Sequence, residues 1–278
     1  MTIAVVGLGL IGGSLCKAIR AYTAHTCLGL DTNPQTIQQA LHEQAIHRAI
    51  SAEELHEADL TIVALHPKQT ISFLIEHAHA FRPGSLVMDV CGVKQAIVDA
   101  VTQPLTNAGV TFLGAHPMAG REFSGFSHAQ AKLFQNASLI LTPDDSISEE
   151  TLQPIRLLAQ DLGFSRIVRT TPDEHDRVIA FTSQLAHVVS SAYIKSPSQQ
   201  KQRGFSAGSY QDMTRVAYLN EDMWTDLFLM NRGPLIFELD NIIARLTEYR
   251  DALLDDDHPR LHSLLRDGRI QKEKSMLD

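Results

Sequence analysis

The chain has 278 residues, of which 44% are hydrophobic, and its formal net charge is −8. This length predicts one large or two modest domains, and the acidic balance argues against a nucleic-acid partner, whose footprint would be basic. Three scattered cysteines without a Cys-x-x-Cys pair indicate neither a disulfide framework nor a metal site, and they suit a cytoplasmic protein. We expect no signal peptide and no membrane partner, because a basic leader and a bilayer-length apolar run are both missing.

Short apolar runs alternate with helical patterns over the first part of the chain. Such continuous apolar runs are typical of parallel strands that are covered by helices on both faces. Residues 1–170 are therefore predicted to form a doubly wound α/β domain. The runs that we assign to strands of its sheet are 3–6, 27–30, 60–65, 85–89, 110–114, 136–141 and 165–168.

Beyond residue 170 the pattern is helical only. Two seams of apolar residues follow the 3–4 spacing of a helix face, so residues 171–278 are predicted to form an all-helical domain. The seams pack either within the chain or against a second subunit, and the pattern leaves both alternatives open. The first seam contains Val178, Phe181, Leu185, Val188 and Ala192, and the second contains Leu235, Leu239, Ile242, Leu246, Tyr249 and Leu253.

The segment Gly7-Leu-Gly-Leu-Ile-Gly12 is a G-x-G-x-x-G sequence between the first strand and the first helix. In the Rossmann type of α/β domain, Gly7 permits a tight turn, Gly9 lets the backbone approach a pyrophosphate, and Gly12 lets the helix pack close to the strand. Leu10 and Ile11 begin the helix, whose first N–H groups bind phosphate. The alternative is a glycine turn that binds no nucleotide.

Asp31 follows the second strand, nineteen residues after Gly12. A carboxylate there accepts hydrogen bonds from a ribose 2′-hydroxyl and repels a 2′-phosphate, which favours NAD over NADP. The alternative is that Asp31 only precedes the helix that starts at Asn33 and Pro34.

His116 follows the fifth of the seven predicted strands. Ligands of open parallel sheets bind at the carboxyl edge, so His116 is expected beside the cofactor together with Asp31, His66 and Asp89. An imidazole there can hydrogen-bond a substrate hydroxyl and take its proton as hydride leaves the same carbon. Glu122, in the following glycine-rich segment, is interpreted as orienting a partner or gating the site.

His187 lies on the helix that carries the first seam. Ser183, Gln184, Ser190 and Ser191 share its face by helical spacing, which makes a polar stripe beside the apolar one. This stripe either lines a cleft or faces solvent, and the pattern alone does not separate the two.

Five segments resemble the prephenate dehydrogenases, a family that includes arogenate dehydrogenases, and the resemblance covers nearly the whole chain. It implies NAD-dependent oxidative decarboxylation of prephenate to 4-hydroxyphenylpyruvate in tyrosine biosynthesis. From the seams and the cysteines, we expect a cytoplasmic homodimer that pairs through the helical domain. The segments are VVGLGLIGGSL, MDVCGVK, GAHPMAGREFSGF, TSQLAHVVSSAY and GSYQDMTRVAYLNEDMWTDLFLMN.

The resemblance also implies roles for individual residues. His116 matches the catalytic histidine that hydrogen-bonds the ring hydroxyl at C4, and Arg215 matches the arginine that binds the ring carboxylate. His187 matches a second substrate-contacting histidine. Further positions associated with the substrate pocket are Glu122, Gly208, Trp224 and Gly92.

Gly92 is a departure from the family pattern. Many members have Asp-Val-Gly-Ser-Val-Lys where this chain has Asp89-Val-Cys-Gly-Val-Lys94, so a serine hydroxyl is missing. Cys91 is one residue away, and we interpret it as a packed thiol without a catalytic role. Some members carry a C-terminal regulatory ACT domain; this chain ends too soon for one, so we expect no tyrosine feedback through it.

Three other functions compete with this interpretation. An arogenate dehydrogenase would act on a substrate that differs only by a side-chain amino group. A hydroxyacid dehydrogenase or imine reductase of the same plan commonly uses a lysine on the second-domain helix, and no lysine lies between Thr182 and Tyr193. A nucleotide-sensing protein without catalysis would not need His116 and Arg215.

Overall fold

A computed structural model describes residues 1–120 and 123–276. Its eight strands form one sheet in the order β3-β2-β1-β4-β5-β6-β7-β8. This order places β1 at the reversal point of a doubly wound sheet, as the glycine motif predicts. The strands are β1 (Thr2–Val6), β2 (Thr26–Leu30), β3 (Arg48–Ala49), β4 (Leu60–Val63), β5 (Leu86–Asp89), β6 (Thr111–Pro117), β7 (Ser138–Thr142) and β8 (Arg166–Arg169).

The direction of β7 differs from that of the strands before it. Strands β1 to β6 pair in parallel, whereas β7 runs antiparallel to β6, and β8 is parallel to β7. The prediction of a Rossmann-type α/β sheet is confirmed, and the sheet is mostly rather than wholly parallel.

Helices cover both faces of the sheet. Ile3 and Val5 of β1 lie in one hydrophobic cluster with Leu15, whereas Ala4 and Val6 lie in another. This alternation explains why the strands read as unbroken apolar runs, since successive side chains enter opposite cores. The helices of this part are α1 (Leu10–Tyr22), α2 (Pro34–His42), α3 (Pro67–Glu76), α4 (Gln95–Asn107) and α5 (Glu149–Asp161).

The later part of the described chain is helical, as predicted. The helices are α6 (Pro172–Ile179), α7 (Ala186–Tyr193), α8 (Gly208–Thr214), α9 (Glu221–Met230), α10 (Arg232–Leu254) and α11 (His258–Lys274), and a π-helical turn, Ala180–Leu185, joins α6 to α7. The π turn breaks the first seam, because a wider turn rotates everything after it. Phe181 is 61% exposed and Leu185 is 7% exposed, so the predicted single apolar face is wrong at this point.

The chain divides into two compact units, Met1–Asn231 and a second one that begins at Arg232. The first contains the sheet and helices α1 to α9. The second contains α10 and α11, where the Tyr249 hydroxyl donates to the backbone oxygen of Leu264. The domain boundary after residue 170 stays a prediction. Within residues 1–120 and 123–276, no helix is long and apolar enough to cross a membrane.

Candidate active site

The glycine loop has the geometry that its sequence predicts. Gly7 has φ +85°, a conformation that residues with a side chain rarely adopt. A Cβ on Gly12 would lie 1.9 Å from the backbone oxygen of Gly7, so only glycine lets α1 approach the loop this closely. A Cβ on Gly9 would meet no atom within 4 Å among the described residues, so the loop is open on that side. Leu10 and Ile11 form the first turn of α1, at whose N-terminus an anion is stabilised.

Asp31 lies at the carboxyl end of β2 and contacts the glycine loop. Its Oδ2 accepts from the backbone N–H of Leu8 at 2.7 Å, and its Oδ1 accepts from the N–H of Asn33 at 2.8 Å. The bond from Asn33 is the helix-start role that the sequence left open, and the bond from Leu8 holds the carboxylate against the glycine loop. Asn33 itself caps α2 through its side chain.

The carboxyl ends of β2, β1, β4, β5 and β6 are neighbours, since these parallel strands are adjacent in the sheet. Gly7, Asp31, His66, Asp89 and His116 therefore lie along one edge, as expected. His66 is exposed at the start of α3. Strand β6 continues through Pro117, so His116 belongs to the strand, paired opposite Ile140 of β7, rather than to the loop that the sequence suggested.

The imidazole of His116 is half-buried and contacts a second histidine. Its Nδ1 lies 2.9 Å from Nε2 of His175, and the two rings meet edge to face. Burial, followed by electrostatic repulsion from His175 and Lys94, holds the pKa of His116 well below its ordinary value of 6.5. The ring is therefore neutral at physiological pH, as a proton acceptor must be.

Gly92 faces the other side of the His116 ring. A Cβ on Gly92 would lie 3.8 Å from Nε2 and Cε1 of His116 and 3.7 Å from Cδ2 of Leu227. Cys91 turns away into the core, where its Sγ lies 3.3 Å from the Thr70 hydroxyl. Burial raises the pKa of Cys91 to about 12, so it is a packed thiol.

Helix α9 connects the His116 region with the His187 region. Leu227 of α9 stands beside Gly92, and Trp224, one turn earlier, packs against His187 with ring centroids 4.0 Å apart. Lys68 of α3 forms an ion pair with Asp226, which fixes α9 against the helix that follows β4. The polar stripe around His187 is therefore partly buried rather than solvent-facing.

His187 has a defined tautomer. Its Nδ1 donates to the backbone oxygen of Ser183 at 2.8 Å, so Nε2 carries the lone pair when the ring is neutral. Burial and the charge of Arg215 lower the pKa of His187, although the bond to Ser183 opposes them. This coupling places Arg215 in the electrostatic range of His187.

Arg215 directly follows α8, whose first residue is Gly208. The Ser190 hydroxyl donates to the backbone oxygen of Met213 at 2.7 Å, which fixes the end of α8 against α7. A Cβ on Gly208 would meet no atom within 4 Å among the described residues. Glu122 lies outside the described residues.

Sequence reasoning missed three residues around His116. Lys94 is fully buried and donates to the backbone oxygen of Ala115 at 2.7 Å and to Asp89. His175 and Asp176 lie in the first turns of α6 and reach β6 and α4. One signal in the sequence could have pointed to His175 and Asp176. Thr171-Pro172 is a typical helix start, and it places these two titratable residues in the next, buried turn of the helix.

An open glycine loop at a helix N-terminus, with a neutral imidazole on the same sheet edge, is the arrangement of a dinucleotide-dependent dehydrogenase. Among the described residues, no group of three or more metal-ligating side chains is placed to hold a metal ion.

Comparison with known proteins gives the family. The family model described as "Prephenate dehydrogenase, nucleotide-binding domain" matches residues 15–168, and the model described as "Prephenate dehydrogenase, dimerization domain" matches residues 171–267. The prephenate dehydrogenase of Bacillus subtilis is 31% identical over 98% of this chain and 75% of its own length. The chain belongs to the prephenate dehydrogenase family.

Solved structures agree with this assignment. Synechocystis arogenate dehydrogenase is 28% identical with a TM-score of 0.84, covering 99% of this chain and 100% of that one. Prephenate dehydrogenase from A. aeolicus, in complex with hydroxyphenyl propionate and NAD+, has a TM-score of 0.86 at 22% identity, covering 99% and 98%. At 22% identity, the similarity to the A. aeolicus structure shows a shared fold and nothing more.

Proposed function

We propose that this chain catalyses the NAD-dependent oxidative decarboxylation of prephenate to 4-hydroxyphenylpyruvate. The observation that carries the proposal is the neutral imidazole of His116 on the glycine-loop edge, with space beside its Nε2 at Gly92. The family includes relatives named for prephenate and for arogenate, so its chemistry supports this substrate class.

The cofactor fits the chain's own residues. The open side at Gly9, the N-terminus of α1 and the Asp31 carboxylate provide a pyrophosphate site and a ribose acceptor. The NAD+ named for the A. aeolicus structure supports the same choice. When bound there, NAD+ supplies the hydride acceptor.

Each side chain of the proposed pocket has its own role toward the substrate. His116 accepts the hydrogen of the ring hydroxyl at Nε2 and takes its proton as hydride leaves C4. Arg215 offers a planar fork to the ring carboxylate, which leaves as carbon dioxide as the ring becomes aromatic. His187, Trp224 and Gly208, with Glu122 from the sequence, complete the proposed pocket.

A second candidate is arogenate as substrate. Its support is the 28% identity and TM-score of 0.84 with Synechocystis arogenate dehydrogenase. The two substrates share the reacting ring and differ only where one side chain has a keto group and the other an amino group. Measuring cofactor reduction with prephenate and with arogenate, each with NAD+ and NADP+, distinguishes them, and no turnover with either would refute the proposed function.

We also propose a cytoplasmic homodimer that pairs through the helical residues. Large apolar side chains are exposed on α10, including Phe237 (65%), Leu246 (60%) and Leu253 (65%), which supports a covering subunit. The three free, buried cysteines suit a reducing compartment. Light scattering of the purified protein tests the dimer, and a monomer at micromolar concentration would contradict it.

A further inference from the structure

A chain of three side chains leads from the reacting imidazole to a fixed carboxylate. Nδ1 of His116 lies 2.9 Å from Nε2 of His175, and Nδ1 of His175 lies 2.7 Å from Oδ1 of Asp176. The side chains of His175 and Asp176 are 0% and 4% exposed. Water therefore does not compete for the bond between His175 and Asp176.

The carboxylate of Asp176 is held by backbone groups of another helix. Its Oδ1 accepts from the N–H of Lys94 at 2.8 Å, and its Oδ2 accepts from the N–H of Gln95 at 2.9 Å. These groups form the N-terminus of α4, a 13-residue helix whose dipole favours a negative charge there. The backbone oxygen of Asp176 accepts from the Asn231 amide at 2.8 Å, so the residue is fixed at both ends.

The hydrogen-bond roles along this chain determine one tautomer. A carboxylate only accepts, so Nδ1 of His175 carries a hydrogen. In a neutral ring the Nε2 of His175 is then an acceptor, which requires the hydrogen of His116 on Nδ1. The lone pair of His116 is consequently on Nε2, the nitrogen that faces Gly92.

We propose that His175 and Asp176 are positioning residues: they hold the lone pair of His116 on Nε2, and the Asp176 carboxylate stabilises the imidazolium that forms when Nε2 takes a proton. In this step the substrate O–H bond breaks and the Nε2–H bond forms as hydride leaves C4, for which bound NAD+ would be the acceptor. The proton returns from Nε2 to the ring oxygen when the loss of carbon dioxide makes the ring aromatic, so His116 ends neutral. The inference rests on the proposed function for this step, although the tautomer exists without substrate. The logic is that of a Ser-His-Asp triad with a second imidazole inserted.

The Asp176→Asn variant tests the inference. The amide oxygen takes the place of Oδ1 and still accepts from Nδ1 of His175 and from the Lys94 N–H, so the tautomer is retained while the negative charge that stabilises the imidazolium is lost. Nitrogen-15 NMR of the histidines in the ligand-free protein should show an Nδ1–H tautomer for His116 both in the native protein and in the variant. We expect kcat to fall roughly 10²- to 10⁴-fold, with the KM for prephenate and the Kd for NAD+ little changed.

Two further comparisons exclude a merely structural role. Asp173→Asn alters an exposed carboxylate of the same helix, which pairs with Arg177, and should change neither tautomer nor kcat. His175→Gln can accept from His116 and donate to Asp176, so it should retain kcat within about tenfold, whereas His175→Leu should lose it as Asp176→Asn does. This pair keeps the inference testable if Asp176→Asn does not fold.

The outcomes separate the inference from the proposed function. An Nε2–H tautomer of His116 in the native protein, or equal kcat losses in His175→Gln and His175→Leu, would overturn the positioning role. A native protein that turns over neither prephenate nor arogenate would overturn the proposed function, while the NMR comparison would still decide the tautomer.

Discussion

Gly92 and His116 face each other across the carboxyl edge of the sheet, with 3.8 Å between the position of a Cβ on Gly92 and Nε2 of His116. That separation is an ordinary van der Waals distance, so a small side chain fits without displacing the ring. The position is the one where many family members have serine. The chain therefore has room for the missing hydroxyl.

The Gly92→Ser variant should raise kcat/KM for prephenate about 2- to 10-fold relative to Gly92→Ala, since one neutral hydrogen bond is worth about 0.5–1.5 kcal/mol. Gly92→Ala adds the same Cβ without the hydroxyl and serves as the matched control. Steady-state kinetics and thermal unfolding check the pair, and Tm should change little in both. Equal kcat/KM values for the two variants would show that the hydroxyl has no partner here.

The low pKa of His116 predicts the pH dependence of turnover. Activity should be constant above pH 6.5 and fall only as pH decreases through the depressed pKa of the folded protein, because protonation removes the acceptor. His116→Asn should lower kcat roughly 10²- to 10⁴-fold and leave the Kd for NAD+ little changed. Intact turnover in this variant would remove His116 from the catalytic role.

The lowered pKa of His116 also makes the free energy of unfolding depend on pH. The unfolded imidazole titrates near 6.5 and the folded one lower, so below pH 6.5 the unfolded chain binds more protons and the free energy of unfolding decreases as pH falls. Denaturant unfolding at several pH values should show a shallower decrease in His116→Asn. An unchanged slope would mean that the ring is not buried in its neutral form.

Arg215 should affect both the substrate and His187. Arg215→Gln removes a charge-assisted bond worth about 1.5–3 kcal/mol, so the KM for prephenate should rise about 10- to 100-fold. The pKa of His187 should rise, because the charge of Arg215 lowers it. Arg215→Lys keeps the charge but not the fork, so it should raise KM without moving the pKa of His187. Kinetics and an NMR titration measure the two effects, and an unchanged KM in both variants would exclude the binding role.

Two glycines of the same loop should respond differently to alanine. In Gly12→Ala the new methyl group meets backbone, which should cost about 1–3 kcal/mol or more of stability. In Gly9→Ala it meets no described atom within 4 Å, so Tm should hold while the Kd for NAD+ rises about tenfold or more, equivalent to ~1.4 kcal/mol. Thermal unfolding measures the stability of both variants, and cofactor titration measures their Kd for NAD+. An unaltered Kd in Gly9→Ala would mean that no pyrophosphate approaches this loop.

Asp31 should set the choice between the two dinucleotides. Asp31→Asn keeps an oxygen for the Leu8 N–H but removes the charge that repels a 2′-phosphate. The preference for NAD+ over NADP+ should therefore decrease, as measured by the ratio of their Kd values. Asp59→Asn, which alters a carboxylate bound to the Thr2 N–H at the other end of β1, should leave that ratio unchanged. An unchanged ratio in Asp31→Asn would leave only the helix-start role for this residue.

The parts of the site that the sequence predicts are those that local rules determine. Gly7 needs a positive φ, Asn33 caps a helix through its own side chain, and His116 lies near the carboxyl end of a strand, which is at a known edge of the sheet. Each of these depends on a few neighbouring residues and on the handedness of parallel connections.

The remaining parts depend on contacts between distant residues. The antiparallel β7 extends β6 past the expected end, and an apolar run does not reveal its direction. Asp176 acquires its role from the backbone of Lys94 and Gln95, 82 and 81 residues away. No periodicity in the sequence encodes a partner at that distance.

The π-helical turn at Ala180–Leu185 makes chain length itself a determinant of the catalytic geometry. It separates His175, which reaches His116, from His187, which packs on Trp224. Regular α-helix over the same number of residues would rotate the downstream residues by about 100° relative to the upstream ones. Deleting one residue within the turn would remove the extra residue that the wider turn accommodates and leave His175 and His187 in register, whereas a deletion in the regular helix between the turn and His175 would not.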